Sequence, residues 1–318
     1  MPEPTSTSPT ELRLDNTKRS CFNTCRRKFY WQHIRGLKPE FGSTALRFGT
    51  TWHGALEGFY SHIKEHGWSE DGKAIHAACD LAKKEWDKET SKQNFATDYR
   101  TFEQCMTMFL QYTNHYVGDK GLLKVIETEQ VFAYKMELDE FLHEDILFPY
   151  LVDTNLFFTG KIDLQVMLSG IRWMVEHKTT SQSLSTQVLR LHRTPQIKGY
   201  CWASDKVHDF PVEGCLVSFA HCTSRKSPKT DEYGKVTMDF ARTPQIFSEA
   251  DLEQWRISFL STANEVAHEM QRNLWPMCED SCYNYGPCAY SMLCEQNVPI
   301  DSVNTAGYIY DPWDVEAE

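Results

Sequence analysis

The chain has 318 residues, with 33 Lys+Arg against 44 Asp+Glu and a formal net charge of −11. Hydrophobic residues at 41% and charged residues at 24% are those of an ordinary folded protein and exclude wholesale disorder or a collagen-like repeat. No apolar run approaches the roughly 18 residues that span a membrane, and the acidic balance weighs against a simple basic nucleic-acid binder.

Met1 to Asn16 is rich in Pro, Ser and Thr and reads as a flexible lead without the apolar stretch of a secretory signal. Lys18 to about Gly36 is helix-compatible, and Gly36 is a natural stop. Thr44–His66 predicts a helix, because Phe48, Trp52, Leu56, Phe59 and Tyr60 recur at three- and four-residue spacing. Two more helices are expected near 72–90 and 98–117.

The pattern then changes to strands. Lys124–Met136 is rich in β-branched and aromatic residues. Asn155–Phe158, Ile162–Leu168 and Ile171–His177 are short apolar runs, the last two joined by a Ser169-Gly170 turn. A helix over Pro195–Ser204, strands over Val212–Cys222 and Val236–Phe240, and a long amphipathic helix over Phe247–Asn273 follow. A cysteine-rich segment and an acidic stretch complete the order. The expected divisions are a lead (1–16), a helical region (17–120), an α/β core (121–273), a cysteine segment (274–296) and an acidic tail (297–318).

The strongest chemical signal is Gly160-Lys161-Ile162-Asp163 followed by Val175-Glu176-His177-Lys178. Asp163 is expected to open one strand and Glu176 to lie near the end of the next, so a hairpin brings the two carboxylates together. Strand alternation puts Glu176 and Lys178 on one face and His177 on the other, with the His177 carbonyl free to meet a metal. Two carboxylates make a hard oxygen site for Mg²⁺ or Mn²⁺, and a lysine beside them orients or deprotonates a water or stabilises developing phosphorane charge. The bland alternative is a solvated Glu/Lys pair. Against it, apolar runs flank both carboxylates, and Gln196 and Tyr200 share a helix face downstream. His53 sits beside the helix stripe, on a face with Gly49 and Glu57; taken alone it reads as a packed or exposed histidine, and as an imidazole ligand it would favour Mn²⁺. Glu129, on a predicted strand, could add a carboxylate, but it reads most plainly as a surface strand residue.

Eleven cysteines without a secretory signal point to a reducing compartment. Cys282, Cys288 and Cys294 form a regular triplet in a loop, which needs a fourth thiolate to complete a Zn²⁺ site or a [4Fe–4S] cluster. Cys25, Cys21 and Cys278 are the candidates. Cys79, Cys105, Cys201, Cys215 and Cys222 read as core residues. Lys18–Lys38 carries +7 with no acid, with aromatic residues interleaved, as a single-strand channel needs; the plain alternative, that most of these aromatics are core residues of an amphipathic helix, stands beside it. Lys178–Lys198 carries +4 with no acid and includes Arg193.

Together, Cys25-Arg26-Arg27-Lys28-Phe29-Tyr30, Gly49-x3-His53, Gly160-x2-Asp163, Glu176-His177-Lys178 and Gln196-x3-Tyr200 resemble the RecB-like branch of the PD-(D/E)XK nucleases. Within it, they are similar to the iron–sulfur group of AddB-type, CRISPR-associated and phage exonucleases. The resemblance implies a restriction-endonuclease-like α/β core, a central mixed sheet flanked by helices, with a helical N-terminal elaboration and a C-terminal cysteine-cluster segment. It implies metal binding by His53, Asp163, Glu176 and the carbonyl of His177, catalysis by Lys178, and DNA-side roles for Gln196 and Tyr200. It also implies a [4Fe–4S] cluster on Cys25, Cys282, Cys288 and Cys294, with Zn²⁺ as the alternative metal. Arg26 departs from the proline that often follows the first cluster cysteine. DNA contacts are expected from Arg26, Arg27, Lys28, Tyr30 and Arg193.

The expected activity is a metal-dependent DNA exonuclease, since no separate sequence-reading module is visible. It would act on single-stranded DNA or single-stranded ends in recombination, repair or phage DNA processing. A prokaryotic or phage-infected cytoplasm is the expected setting, and with no G-x4-G-K-[ST] motif, unwinding would fall to a helicase or recombination partner. The other classes are a non-catalytic DNA-binding or assembly subunit that keeps the fold, and a zinc-stabilised binding protein.

Overall fold

The computed structural model describes residues 10–40, 42–88, 98–140, 143–207, 211–284, 286–296 and 298–312. In chain order the elements are β1 (Thr10–Leu14), α1 (Asn16–Thr24), α2 (Arg26–Phe29), a π-turn at Tyr30–Ile34, β2 (Leu37–Pro39), α3 (Thr44–His66), α4 (Lys73–Lys88), α5 (Phe102–His115), α6 (Asp119–Leu122) and β3 (Leu123–Lys135). Next come α7 (Glu144–Leu147), β4 (Thr154–Leu168), β5 (Ile171–Thr180), α8 (Leu184–Arg190), α9 (Pro195–Val207), β6 (Cys215–Thr223), β7 (Thr237–Gln245), α10 (Glu249–Arg272), α11 (Ser291–Cys294) and β8 (Tyr308–Tyr310). The main sheet runs β1-β4-β5-β6-β7, with β3 beside β4, and mixes parallel and antiparallel pairs. This is the mixed sheet with flanking helices expected from the sequence. Among the described residues, no helix is long and apolar enough to cross a membrane.

The chain forms two compact units. One comprises residues 1–40, 131–160 and 250–318; the other comprises 41–130 and 161–249.

In the second unit, β4 from Lys161 onward, β5, β6 and β7 present Leu164, Val166, Val175, Leu216, Ala220 and Phe240 to one core. Helices α3 and α5 supply the facing side chains, including Trp52, Leu56, Tyr60, Phe109 and Tyr112. The periodic stripe predicted for Thr44–His66 is this buried face. Arg47 is buried at the same helix, where it donates to the Trp86 carbonyl and lies 3.7 Å from that ring's centroid.

Three expectations are corrected. Thr10–Leu14 is an edge strand paired in parallel with Thr154–Phe158, because Leu12 and Leu14 alternate into the core. The two runs on either side of Gly160 are one strand, and Asp163 lies well inside it instead of opening it. Phe158, Gly160 and Ile162 are all buried on one pleat, so no turn forms. The acidic tail is also partly docked: Tyr308–Tyr310 pairs antiparallel with Leu37–Pro39, and Lys38 pairs with Asp311 at 3.1 Å. The remainder of the predicted lead (1–9) and of the tail (297 and 313–318) lies outside the described residues.

Helix α3 packs on α4 at a glycine. A Cβ at Gly58 would fall 2.4 Å from the Ala77 carbonyl oxygen and 2.8 Å from its carbon. Alanine is the better helix former, but here backbone must move. Gly58→Ala is therefore expected to destabilise by about 1–3 kcal/mol. Gly121→Ala, whose Cβ would meet nothing within 4 Å, should leave the melting temperature unchanged. Paired thermal melts check both, and a Gly58→Ala protein as stable as the parent would refute the close α3–α4 approach.

Candidate metal centre

The site lies within the second unit, where β4 and β5 part. Their ladder ends at Leu164↔Val175. One step further, the His177 backbone N–H donates to Asp163 Oδ2 at 2.7 Å. A carboxylate thus replaces the carbonyl that a continuing ladder would offer. Beyond this point β5 pairs with β6, with Glu176 opposite Val217 and Lys178 opposite Phe219.

Three elements converge on the opening. Helix α3 brings His53, whose Nδ1 is 3.6 Å from Asp163 Oδ1. Strand β3 brings Glu129, at a backbone φ of +47°. One ligand atom from each of His53, Glu129 and Asp163 lies within 4.8 Å of the others, a spacing that suits a metal ion. Lys161 Nζ pairs with Glu129 at 2.9 Å.

On the same face of β5 as Glu176, Lys178 donates to Glu176 Oε1 at 2.5 Å and to Gln196 Oε1 at 2.9 Å. Gln196 in turn donates to the Tyr200 hydroxyl at 3.4 Å, both residues standing on α9. The structure therefore brings together His53, Asp163, Glu176, Lys178, Gln196 and Tyr200. It also shows what the plain sequence reading missed. Glu129 is no surface residue but part of this cluster. Its left-handed backbone marks where the buried positions of β3 change from odd (Leu123, Val125) to even (Phe132), and that change of parity is visible in the apolar pattern.

The electrostatics follow from burial. Desolvation, then the Asp163 charge, raises Glu129 to about 7. Desolvation raises Asp163 to about 6, against the pull of Lys178. Desolvation and Asp163 raise Glu176 to about 7. Burial disfavours the Lys178 ammonium, but Glu176 and Asp163 outweigh it, so its pKa is raised and it stays charged. Burial lowers His53, which favours the neutral imidazole that ligates metal. His177 is lowered further by burial and by His53 and Arg242.

The residues expected at DNA divide differently. Arg26 is held by Glu265 and, at 2.8 Å, by Glu269. Arg27 donates its Nε–H to the Trp275 carbonyl at 2.5 Å. The Tyr30 ring is buried against Trp31 and Trp275, which leaves no face for a base. These three are tied into the protein's own packing. Lys28 is half-buried, whereas Arg193 is exposed together with Arg190.

Far from this centre in sequence, the first unit gathers cysteines. The Cys278 N–H points at Cys25 Sγ at 3.4 Å, and Ser281 Oγ donates to the Thr24 carbonyl at 2.9 Å. Cys282 is raised by burial and by the neighbouring thiols of Cys288, Cys25 and Cys278. Cys294 is raised by burial, and Cys25 and Cys288 add to the shift. Cys21 is buried and donates to Gln32. Cys105, Cys201, Cys215 and Cys222 are buried and Cys79 partly so, as expected.

The family model for the PD-(D/E)XK nuclease superfamily matches residues 16–295. The chain belongs to the PD-(D/E)XK nuclease superfamily. Nucleases of this superfamily use divalent metals and act on nucleic acid. No curated protein matches the chain. Among solved structures, one described as "Crystal structure of SSO0001" is similar at 10% identity, with a TM-score of 0.30, over 81% of this chain and 99% of that one.

Raised carboxylates couple stability to pH. Ordinary carboxylates titrate near 4 in the unfolded chain, whereas Asp163, Glu129 and Glu176 titrate near 6 to 7 when folded. Between about pH 4 and pH 7 these carboxylates bind more protons in the folded state and remove stability as pH rises, whereas His53 and His177, lowered by burial, add stability over the same window. The carboxylate contribution is therefore read as a difference: with EDTA present, Glu176→Gln should raise the melting temperature more at pH 7 than at pH 4. Mn²⁺ should stabilise the wild type most at the alkaline end, where protons no longer compete. A Glu176→Gln effect that does not grow from pH 4 to 7 would contradict the cluster's electrostatics.

Proposed function

We propose that the chain is a DNA exonuclease that hydrolyses phosphodiester bonds with Mg²⁺ or Mn²⁺ and carries a structural [4Fe–4S] cluster. Convergence of His53, Glu129, Asp163 and Glu176 on one opening, with a charged Lys178 beside them, is the observation that carries this reading. Imidazole and carboxylate donors fit a divalent ion, and His53, Asp163, Glu176 and the His177 carbonyl would hold it, with Glu129 adjoining. The bound ion polarises the phosphate and lowers the pKa of a water.

The remaining work falls to the chain. Lys178, gripped by Glu176 and Gln196, keeps its proton, so it orients the attacking water and offsets charge on the phosphate. Tyr200 holds Gln196 in place. The water oxygen bonds to phosphorus as the bond to the 3′ oxygen breaks. The water proton leaves for solvent, and the 3′ oxygen takes one up, giving 5′-phosphate and 3′-hydroxyl ends. Exposed Arg190 and Arg193 follow directly after the strand that carries Lys178, and they would receive the DNA backbone. The substrate is single-stranded DNA or DNA with single-stranded ends, in recombination, repair or phage DNA processing, with a helicase or recombination partner supplying unwinding.

For the cluster, the neighbourhood of Cys25 and Cys288 with both Cys282 and Cys294 supports a four-thiolate site. Burial of Cys21 and its bond to Gln32 favour Cys25 over Cys21 as the fourth ligand. The cluster would clasp the segments around residues 25 and 278–294.

Linear single- and double-stranded DNA should be degraded with Mg²⁺ or Mn²⁺, while a closed circle survives. Lys178→Ala and Asp163→Ala should each lower kcat about 10²–10⁴-fold. An inert wild type, or mutants that cleave as well as it does, would sink the enzyme reading, and rapid cutting of circles would sink the exonuclease reading. In anaerobic preparations, Cys282→Ser should lose iron, acid-labile sulfide and solubility together. Zinc in place of iron in the wild type would overturn the cluster assignment.

A further inference from the structure

His177 turns its ring to the face of β5 opposite Glu176 and Lys178. The ladders set His177 against Ser218 on β6 and Ser218 against Arg242 on β7, so three polar residues form one row across three strands. The rest of that face is apolar, with Val175, Leu216, Ala220 and Phe240 in the core. His177 is 2% exposed and Ser218 1%.

Around the His177 ring stand Tyr60, stacked at 6.0 Å, Tyr112 edge-on at 6.3 Å and His53 edge-on at 6.5 Å. Tyr60, Tyr112, Arg242 and Asp119 pair among themselves. Tyr60 and Tyr112 hydroxyls bond at 2.9 Å, and Arg242 donates to Tyr112 at 3.2 Å and pairs with Asp119 at 3.0 Å. The imidazole is left over. Neither His177 Nδ1 nor Nε2 has a hydrogen-bond partner, and Ser218 Oγ, Arg242 Nε and the Tyr116 hydroxyl also lack one at bonding geometry. Arg242 lies over the Tyr116 ring at 4.0 Å, and Ser218 neighbours the Tyr116 hydroxyl, so these atoms share one neighbourhood.

A neutral imidazole offers one donor and one acceptor, and burying both unmet is costly. Where there is room for it, internal water with two to four partners meets buried polar groups of this kind. We propose that ordered water occupies the space behind β5, bonding to the His177 ring and to Ser218, and that the water-held ring is a positioning element for the metal centre. The ring is wedged against His53, and its own backbone N–H holds Asp163. A fixed ring therefore fixes both. This second half rests on the nuclease reading above.

Two measurements separate the halves. A high-resolution crystal structure of the full chain should show a water about 3 Å from a His177 ring nitrogen and from Ser218 Oγ; a dry pocket overturns the proposal. That water in a wild type that neither binds Mn²⁺ nor cleaves DNA would uphold the hydrated pocket and sink the nuclease function.

For positioning, His177→Phe keeps the ring and removes its nitrogens, and Ser218→Ala removes one water partner. Each should weaken Mn²⁺ binding, measured calorimetrically without DNA, and lower kcat by about 10–100-fold, with KM for DNA unchanged. His177→Gln should recover much of both. Wild-type Mn²⁺ affinity in His177→Phe and Ser218→Ala, or losses that track the melting temperature without rescue by glutamine, would overturn positioning. If His177→Phe does not fold, Ser218→Ala carries the test alone.

Discussion

One hydrogen bond organises the centre: the His177 N–H donates to the Asp163 carboxylate and not to a strand carbonyl. An antiparallel ladder that continued past Leu164↔Val175 would pair these strands by backbone alone and leave no opening. Substituting a side chain for the carbonyl does two things together. It satisfies a buried donor that the parting strands would otherwise orphan. It also anchors one carboxylate oxygen and leaves the other facing His53. Because β5 goes on to pair with β6 through Thr180, parting from β4 costs it no backbone partner on its other edge. The opening is therefore built into a rigid sheet and does not depend on a loop.

Charge accounts for the rest of the arrangement. Three carboxylates raised toward neutrality and two lysines share the opening, each lysine gripping one carboxylate: Lys161 on Glu129 and Lys178 on Glu176. Asp163, held by a backbone N–H, is the carboxylate closest to the imidazole. An excess of negative charge in a desolvated place is unfavourable to the folded chain alone. It becomes favourable when a cation supplies the missing charge, so metal binding stabilises the fold. Retention of the Lys178 proton under these conditions also decides its chemistry, since a charged ammonium orients and stabilises but does not abstract.

Much of this was legible in the sequence, and the exceptions have physical causes. Apolar periodicity gave Thr44–His66 to the residue, because one helix face is buried along its whole length. Alternation placed Glu176 and Lys178 on one face. The strand through Gly160 was hidden because glycine signals a turn unless its neighbours are buried on the same pleat, and burial is a tertiary fact. Glu129 was hidden because its approach to His53 depends on a left-handed residue within β3, and only the change in apolar parity hints at it. Thr10–Leu14 has just two core residues, too few for a pattern to stand out.

The basic-aromatic segment bears on substrate binding. A run of +7 beside exposed rings would track a DNA strand; here Phe22, Phe29, Tyr30 and Trp31 are core and several of the cations have protein partners. Arg26 is neutralised by two glutamates of α10, Arg27 holds a carbonyl beside Trp275, and Lys38 meets Asp311 of the acidic stretch. Charge that looks segregated along the chain is thus paired in space. Each partnered cation would have to give up its intramolecular contact to bind phosphate, so its contribution to affinity would be a difference and not a gain. Arg190 and Arg193 carry a smaller formal charge, but both are exposed, and they follow Lys178 without an intervening acid. On the proposed function they are the cations most open to a DNA backbone. Accessibility decides this, and the larger count of basic residues elsewhere does not.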